Sequence, residues 1–234
     1  MSLQYYTQLQ ETLAAMPSEA VKAPTMPVDV QLQEAEDLSL WIQQDKRELK
    51  AAGLDWTRYV DTLGIRAGAC RYAQALWIKE RYEQKEIKKS WQDAAKEGFA
   101  LRNALIADFK FVYPNNQRIA AALKQTRKGK SAADMIQDLS DLAVLGSEYV
   151  KTQNSIIAIQ ERIKKAQALS TQLGATKAKA TNHQLSTSTS KLMRDKACSY
   201  LKEAVDEIRR TGKYVFNHIP DRKQGYISRY KKKS

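Results

Sequence analysis

The fold of this chain follows from one proline-free stretch, residues 56–112, which reads WTRYVDTLGIRAGACRYAQALWIKERYEQKEIKKSWQDAAKEGFALRNALIADFKFV. Every seventh residue from Trp56 onward is mostly apolar, and so are most residues three positions after each of these. The two rows together form an imperfect heptad seam. The first row is Trp56, Leu63, Cys70, Trp77, Gln84, Trp91, Gly98, Leu105 and Val112. This periodicity predicts one long helix over about 55–113, with Asp55 as its N-cap. Its weakest region is the polar stretch 79–90.

Helical patterns also occur on both sides of this stretch. Residues 29–52 carry an apolar face that ends before Gly53, and residues 3–15 form a short first helix, followed by a proline-punctuated loop over 16–28. Two later seams are Met135, Leu142, Tyr149, Ile156 and Ile163, and then Cys198, Leu201, Val205, Ile208 and Val215. Between these seams, residues 170–190 contain nine Ser or Thr residues, a composition that predicts a loop.

These patterns predict an all-α fold, because no alternating apolar pattern of strand length occurs in the sequence. The expected architecture is an elongated, mostly antiparallel helical bundle of four to six helices. We expect an N-terminal helix and proline-containing loop over 1–28, the bundle over 29–217 with its Ser/Thr-rich loop, and a basic C-terminal segment over 218–234.

A four-residue motif ends two of the predicted helices, 103 residues apart. It reads KFVY at residues 110–113 and KYVF at residues 213–216, and we call it the helix-end motif. Each copy is followed by a proline, Pro114 or Pro220, and then by a basic stretch. Two interpretations stay open: a duplicated unit of long helix, turn and short basic helix, or the chance recurrence of lysine and aromatics at helix ends.

Composition indicates a soluble protein of one or two domains. The chain has 234 residues, of which 43% are hydrophobic, and its mean hydropathy is -0.58. Its two cysteines, Cys70 and Cys198, cannot form the dense disulfide framework of a small secreted domain, and we expect them to be buried as small apolar side chains. The sequence has no signal-like apolar region at its start and no run of about 18 apolar residues. We therefore expect a cytoplasmic protein.

The net charge of +13 is unevenly distributed along the chain. Residues 1–63 contain 10 acidic and 5 basic side chains, whereas residues 64–190 contain 11 and 21, and residues 191–234 contain 5 and 13. An acidic first part and a basic remainder attract each other, either within one molecule or between molecules. The basic excess indicates either a solvated lysine surface or a site for a polyanion.

The basic C-terminal segment is the candidate polyanion site. Its lysines and arginines would meet phosphates while its tyrosines stack on unpaired bases. The candidate residues are Arg222, Lys223, Tyr226, Arg229, Tyr230, Lys231, Lys232 and Lys233. The alternative is a charged tail that keeps the chain end solvated, with Tyr226 folded back onto the bundle. No base-reading motif accompanies these residues.

A second candidate site is a groove for a partner helix. Trp77 and Trp91 flank the polar stretch of the long helix, with Tyr82 between them. The hypothesis is that these three aromatic residues line one groove. The competing interpretation is that tryptophans at helical spacing belong to the core.

Elements of catalytic and metal sites are few. Gly129-Lys130-Ser131 imitates the end of a phosphate-binding loop, but Lys124 stands where that motif needs another glycine. A capping box from Ser131 to Asp134 explains the same residues. Asp134, Asp138 and Asp141 share one helix face, which suits either a divalent cation or a solvated acidic surface. Neither histidine follows a glutamate by three residues, as a di-iron bundle requires. The sequence therefore predicts no enzyme, no cofactor, no metal and no evident small-molecule substrate.

The region 134–146, together with the aromatic helix end and the basic terminus, resembles uncharacterised all-helical bacterial proteins of similar length. The resemblance covers about the second half of the chain and implies only the helical fold class. We expect a non-enzymatic helical scaffold or protein-interaction protein, with a protein partner or self-association. The alternative is sequence-independent binding of nucleic acid through the C-terminal segment.

Overall fold

The computed structural model describes residues 2–126, 129–149 and 157–230, and within them it contains helices and no strand, which confirms the all-α prediction. Its α-helices are α1 Ser2–Ala15, α2 Val28–Trp41, α3 Lys46–Ala51, α4 Trp56–Tyr59, α5 Leu63–Val112, α6 Gln117–Thr126, α7 Ala132–Tyr149, α8 Ile157–Val215 and α9 Pro220–Gln224. Nine α-helices in these residues exceed the predicted four to six. Part of the excess arises because the predicted helix over 29–52 tightens into a 3-10 turn at Ile42–Asp45.

The long helix predicted for about 55–113 is interrupted near its start. Asp55 caps α4 as predicted, accepting a hydrogen bond from the Arg58 backbone amide at 2.9 Å. However, α4 ends at Tyr59 and α5 begins only at Leu63. From there α5 continues for 50 residues through the polar stretch 79–90, whose Lys, Glu and Gln side chains are good helix formers.

The Ser/Thr-rich stretch 170–190 is not a loop but lies inside α8, so this prediction was wrong. Thr176 and Thr181 donate their hydroxyl hydrogens to carbonyl oxygens four residues earlier, at 2.8 and 3.1 Å. Because these hydroxyls are satisfied along the helix, they do not draw the backbone into a turn. Leu173 and Thr187 are buried, and such packing stabilises a helix whose intrinsic propensity is modest.

The chain divides into two compact units, and both long helices contribute to each of them. The first unit consists of the chain up to Arg81 and from Ser186 onward, and the second unit is Tyr82–Leu185. The segments predicted at the two chain ends are therefore both part of the first unit. The predicted boundary at 28 coincides with the start of α2, and the boundary at 217 follows the end of α8.

In the first unit α5 and α8 run antiparallel. Arg66 Nη1 donates to the Tyr200 carbonyl oxygen at 2.7 Å, and further along the same helices Thr187 donates to the Glu80 carbonyl oxygen at 3.4 Å. Helices α1 to α4 and the C-terminal segment pack around this pair. Core residues shared by these elements include Leu13, Leu32, Leu38, Leu49, Trp56, Leu63, Leu201, Ile208 and Tyr226.

The second unit repeats the antiparallel pairing with other parts of the same two helices. Ion pairs join Asp108 to Arg162 at 2.6 Å and Glu97 to Lys165 at 2.6 Å. The core adds α6 and α7, and its members include Leu105, Phe109, Ile119, Leu123, Met135, Leu139, Leu142, Ile163 and Leu173. The predicted seams therefore face the core, although Ile156 of one seam lies outside the described residues.

Opposite charges from the two parts of the chain meet inside the first unit. Glu34 pairs with Arg209 at 2.9 Å, and Asp45 pairs with Arg222 at 2.7 Å. Attraction between the acidic first part and the basic remainder therefore occurs within one molecule. None of the helices in the described part of the chain is both long and apolar enough to span a bilayer.

Candidate functional site

The C-terminal segment, the predicted polyanion site, is docked against the first unit through Tyr226. This side chain is fully buried, and its ring stacks on Phe216 with 5.6 Å between centroids and 11° between planes. Its hydroxyl donates a hydrogen bond to the Asp45 carboxylate. The Tyr226 ring is therefore unavailable for stacking on a base, and the alternative in which it folds back onto the bundle is confirmed.

Asp45 also binds Arg222. The Arg222 Nε atom lies 2.7 Å from both Asp45 carboxylate oxygens, Nη2 donates to the Trp41 carbonyl oxygen at 2.9 Å, and the guanidinium lies over the Trp41 ring. Burial, together with the hydrogen bond to Asp45, raises the pKa of Tyr226, so its hydroxyl remains a donor. A phosphate would have to displace the Asp45 carboxylate to bind the Arg222 guanidinium, so a polyanion contact at this residue stays a prediction.

A second carboxylate, Glu34, holds the end of the described chain. It accepts hydrogen bonds from the Ser228 hydroxyl at 2.8 Å, from the Arg229 amide at 2.8 Å, from the Tyr230 amide at 3.1 Å and from Arg209 at 2.9 Å. Burial alone would raise the pKa of Glu34, but these bonds and the Arg209 charge together hold it below its ordinary value. The segment through residue 230 is therefore bound by two carboxylates, the buried Asp45 and the partly buried Glu34.

The remaining candidate residues of the polyanion site lie partly within and partly outside the described residues. Lys223 donates to the Asn217 side-chain oxygen at 2.7 Å, and the Arg229 side chain is exposed. Lys231, Lys232 and Lys233 lie outside the described residues. Sequence reasoning missed Asp45 and Glu34, although the acidic excess of residues 1–63 was the signal that could have found them.

The three aromatic residues of the predicted partner groove belong to different units. Trp77 belongs to the first unit, where Arg194 and Arg81 lie over its ring at 4.1 and 4.7 Å from the centroid. Trp91 packs against the core of the second unit, whereas Tyr82 is 60% exposed. Nine residues separate Tyr82 from Trp91 on α5, which places them on opposite sides of the helix at 3.6 residues per turn. Tyr82 and Trp91 therefore face different sides of α5, and the partner groove stays a prediction.

A cleft of about 550 Å³ lies in the second unit, between the end of α5 and α6. The sequence did not predict it, although the apolar spacing of α6 and the first helix-end motif were available signals. Its lining consists of Lys110, Tyr113, Pro114, Ile119, Ala120, Leu123 and Lys124.

The cleft combines an apolar wall with two cationic side chains. Ile119 and Leu123 are buried in the core beneath it, and Tyr113 donates to the Tyr149 carbonyl oxygen at 3.3 Å. Lys110 and Lys124 are exposed, and no carboxylate of the described residues lies within ion-pairing distance of either amine. This arrangement suits an apolar group that carries negative charge beside it.

In the stretch Gly129-Lys130-Ser131, which resembles the end of a phosphate-binding loop, Ser131 caps helix α7. The Ser131 hydroxyl accepts from the Asp134 amide at 3.1 Å, and the Asp134 carboxylate accepts from the Ser131 amide at 2.9 Å, which confirms the capping box. Asp138 pairs with Arg102 at 2.9 Å, and Asp141 accepts from a glutamine side chain one turn earlier. Among the described residues no cluster of three or more His, Cys, Asp or Glu side chains is placed to hold a metal ion.

The two cysteines are buried, as predicted, but they also face each other. Cys70 of α5 and Cys198 of α8 are free thiols whose sulfur atoms lie 2.7 Å apart. The hydrogen bond with Cys198, together with burial, raises the pKa of the Cys70 thiol. The Cys70 thiol is therefore expected to be protonated and unreactive while the unit is closed.

No family model, no curated protein and no solved structure matches this chain. The resemblance to uncharacterised all-helical bacterial proteins therefore stays a prediction. Inference about function rests on the geometry of the two units themselves.

Proposed function

We propose that this protein is a non-enzymatic interaction protein, and that the cleft of the second unit binds an acidic segment of a partner protein carrying a large apolar side chain. The observation that supports this proposal is the apolar cleft beside two exposed lysines, Lys110 and Lys124, that have no carboxylate partner in the described part of the chain. Its volume of about 550 Å³ falls within the usual range for ligand pockets.

The apolar wall supplies the affinity in this proposal. Ile119 and Leu123 anchor α6 in the core, so the wall is formed before a partner arrives. Burying one leucine or phenylalanine side chain contributes roughly 1.5–3 kcal/mol. A preformed wall also avoids the cost of ordering the site on binding.

The charge of the second unit supplies the preference for an acidic partner. Residues 82–185 contain 17 basic and 10 acidic side chains. Carboxylates beside the inserted side chain would meet Lys110 and Lys124, and the overall positive field would accelerate association at low salt.

A different protein is favoured over a second copy of this chain as the partner. The acidic excess of the chain lies in residues 1–63, but Glu34 and Asp45 from that region already bind arginines of their own unit. Nucleic acid is less favoured because Tyr226, a stacking residue of that hypothesis, is fully buried.

Two substitutions on α6 test the cleft against general charge. Ala120 lines the cleft and Ala121 does not, and both are exposed on the same helix. We expect Ala120→Glu to weaken binding of a fluorescent acidic peptide with one phenylalanine about tenfold, equivalent to about 1.4 kcal/mol. The matched control, Ala121→Glu, adds the same charge and should change binding less than about twofold.

A peptide with serine in place of the phenylalanine and a labelled random oligonucleotide complete the fluorescence anisotropy experiment. Equal binding of the serine peptide, or equal losses in the two variants, would show that general charge rather than the cleft is responsible. Tighter binding of the oligonucleotide, unchanged by Ala120→Glu, would support the nucleic-acid alternative. Sedimentation of the protein alone tests self-association.

A further inference from the structure

We infer that Cys70 and Cys198 are a disulfide-forming pair, a covalent modification site that joins α5 to α8 in the first unit under oxidising conditions. The two sulfur atoms lie 2.7 Å apart, and both cysteines are free thiols. A disulfide requires a separation of about 2.05 Å, so a small relative movement of the two side chains closes the bond.

The register of the two helices keeps the sulfur atoms opposite each other. Contacts lie on both sides of the pair: Arg66 with the Tyr200 carbonyl, and Thr187 with the Glu80 carbonyl. Three small buried side chains, Ala69, Ala73 and Ala197, lie within three residues of the two cysteines. The 2.7 Å separation of the sulfur atoms leaves no room for another side chain between them.

The oxidant in this inference is a small disulfide, such as oxidised glutathione. The thiolate of one cysteine attacks the oxidant, forms a mixed disulfide and releases one glutathione thiolate. The second cysteine then attacks the protein sulfur of that mixed disulfide and releases the second glutathione. In total the two protein thiols lose two electrons and two protons, and the oxidant becomes two thiols.

Access determines when the bond forms. Both side chains are buried in the folded unit, so a glutathione molecule cannot reach either sulfur without local opening. We therefore expect the bond to form during folding and to form slowly in the folded, reduced protein. The closed loop would contain residues 71–197, which include the whole second unit. Loops this long give the largest restriction of the unfolded chain.

The test is to refold the full chain in a glutathione redox buffer and, separately, with excess dithiothreitol. After oxidative refolding we expect no free thiol by Ellman's assay in denaturant, a monomer on a non-reducing gel, and a mass lower by two hydrogen atoms. We also expect a melting temperature at least about 5 °C above that of the reduced protein. Two free thiols remaining after oxidative refolding, or bonds only between chains, would overturn the inference.

Single variants provide the control. Cys70→Ala and Cys198→Ala each leave one thiol, and their melting temperatures should be the same after either refolding treatment. If an alanine variant does not fold, the thiol count and mass of the wild-type chain still decide the question. A difference in melting temperature that persists in the single variants would show that another effect of the buffer is responsible.

Discussion

The two long helices, α5 and α8, both end with the helix-end motif, α5 in the second unit and α8 in the first. The local backbone structure is similar at the two ends, but the surroundings differ. At the end of α5 the Tyr113 amide donates to the Phe109 carbonyl at 3.0 Å, and at the end of α8 the Phe216 amide donates to the Gly212 carbonyl at 3.0 Å. A turn with an i to i+3 hydrogen bond follows in both cases. The second residue of each motif is largely exposed. The helix-end motif therefore has the same pattern of backbone hydrogen bonds at both positions.

The residue immediately before the motif differs. In the second unit Phe109 occupies this position and stacks on Tyr113, with 6.3 Å between ring centroids. In the first unit the position is Gly212, and the space beside it is taken by Tyr226, which stacks on Phe216. The last aromatic residue of each motif thus finds a ring to pack against, but only the glycine leaves room for a ring from the following segment.

This difference accompanies different uses of the following basic segment. In the first unit the segment is drawn into the core and bound by Asp45 and Glu34. In the second unit the segment after α5 forms α6, and Lys110 and Lys124 stay exposed beside the cleft. Among the described residues, Arg222 after the second motif is therefore bound inside its unit, whereas Lys124 after the first motif lies exposed.

Of the substitutions that test this comparison, Asp45→Ala should cause the largest loss of stability. The substitution leaves Arg222 and the Tyr226 hydroxyl without their buried acceptor, and we expect the free energy of unfolding to fall by about 3–5 kcal/mol. Urea denaturation at neutral pH measures it. Asp221→Ala, at an exposed acid of α9, should change stability by less than about 0.5 kcal/mol. Equal losses in the two variants would contradict the role given to Asp45.

A smaller effect is expected for Gly212→Ala. The added methyl group would overlap the Tyr226 ring, so we expect a loss of about 1–3 kcal/mol and partial release of the C-terminal segment. Gly174→Ala is the control on the same helix, because its methyl group would meet no atom within 4 Å and should stabilise α8 by up to about 1 kcal/mol. Denaturation and limited proteolysis of the C-terminus measure both. If Gly212→Ala leaves stability unchanged, the space beside Gly212 does not account for the difference between the two helix ends.

Tyr226→Phe removes one hydrogen bond while keeping the ring stack. We expect a loss of about 1 kcal/mol, because Asp45 loses a donor but keeps Arg222. Tyr113→Phe in the second unit should cost less, since its hydroxyl bond to the Tyr149 carbonyl is 3.3 Å long and only partly buried. Thermal unfolding of the two variants measures which substitution costs more stability. A larger loss for Tyr113→Phe than for Tyr226→Phe would contradict this prediction.

The smallest effect should appear only at acid pH. The pKa of Glu34 is lowered in the folded state, so its stabilisation is present above the ordinary pKa of about 4.5 and is lost as pH falls through the folded value. Burial raises the pKa of Asp138 in the second unit, so its protonation favours the folded state as pH falls. Stability measured from pH 6 to pH 3 should decline less steeply in Glu34→Gln and more steeply in Asp138→Asn than in the wild type. Equal slopes in all three proteins would contradict these pKa directions.

Local signals in the sequence predicted the helices and several of their ends. Asp55 caps α4, the Ser131–Asp134 box caps α7, and Gly53, with a φ of 90°, follows α3. These predictions succeeded because a cap is decided by side chains within a few residues of the backbone groups they satisfy. The apolar seams were predicted for a similar reason, since helical periodicity determines which residues share a face.

Predictions that depended on distant residues were less successful. The Ser/Thr-rich stretch 170–190 was assigned to a loop because composition does not show that Leu173 and Thr187 become buried. Tyr82 and Trp91 were predicted to line one groove, whereas the continuous helix α5 places them on opposite faces. The C-terminal segment was predicted to bind a polyanion because its carboxylate partners are more than 175 residues away in sequence.

The sequence by itself determined that this protein is all-α, where several helices begin and end, and that an acidic first part precedes a basic remainder. Only the tertiary structure decided which charges are neutralised by Asp45 and Glu34, which lysines stay exposed beside the cleft, and that Cys70 lies against Cys198. The physical reason is the distance along the sequence over which each interaction acts. Helix periodicity and caps act over a few residues, whereas burial and ion pairing depend on which distant segments the fold brings together.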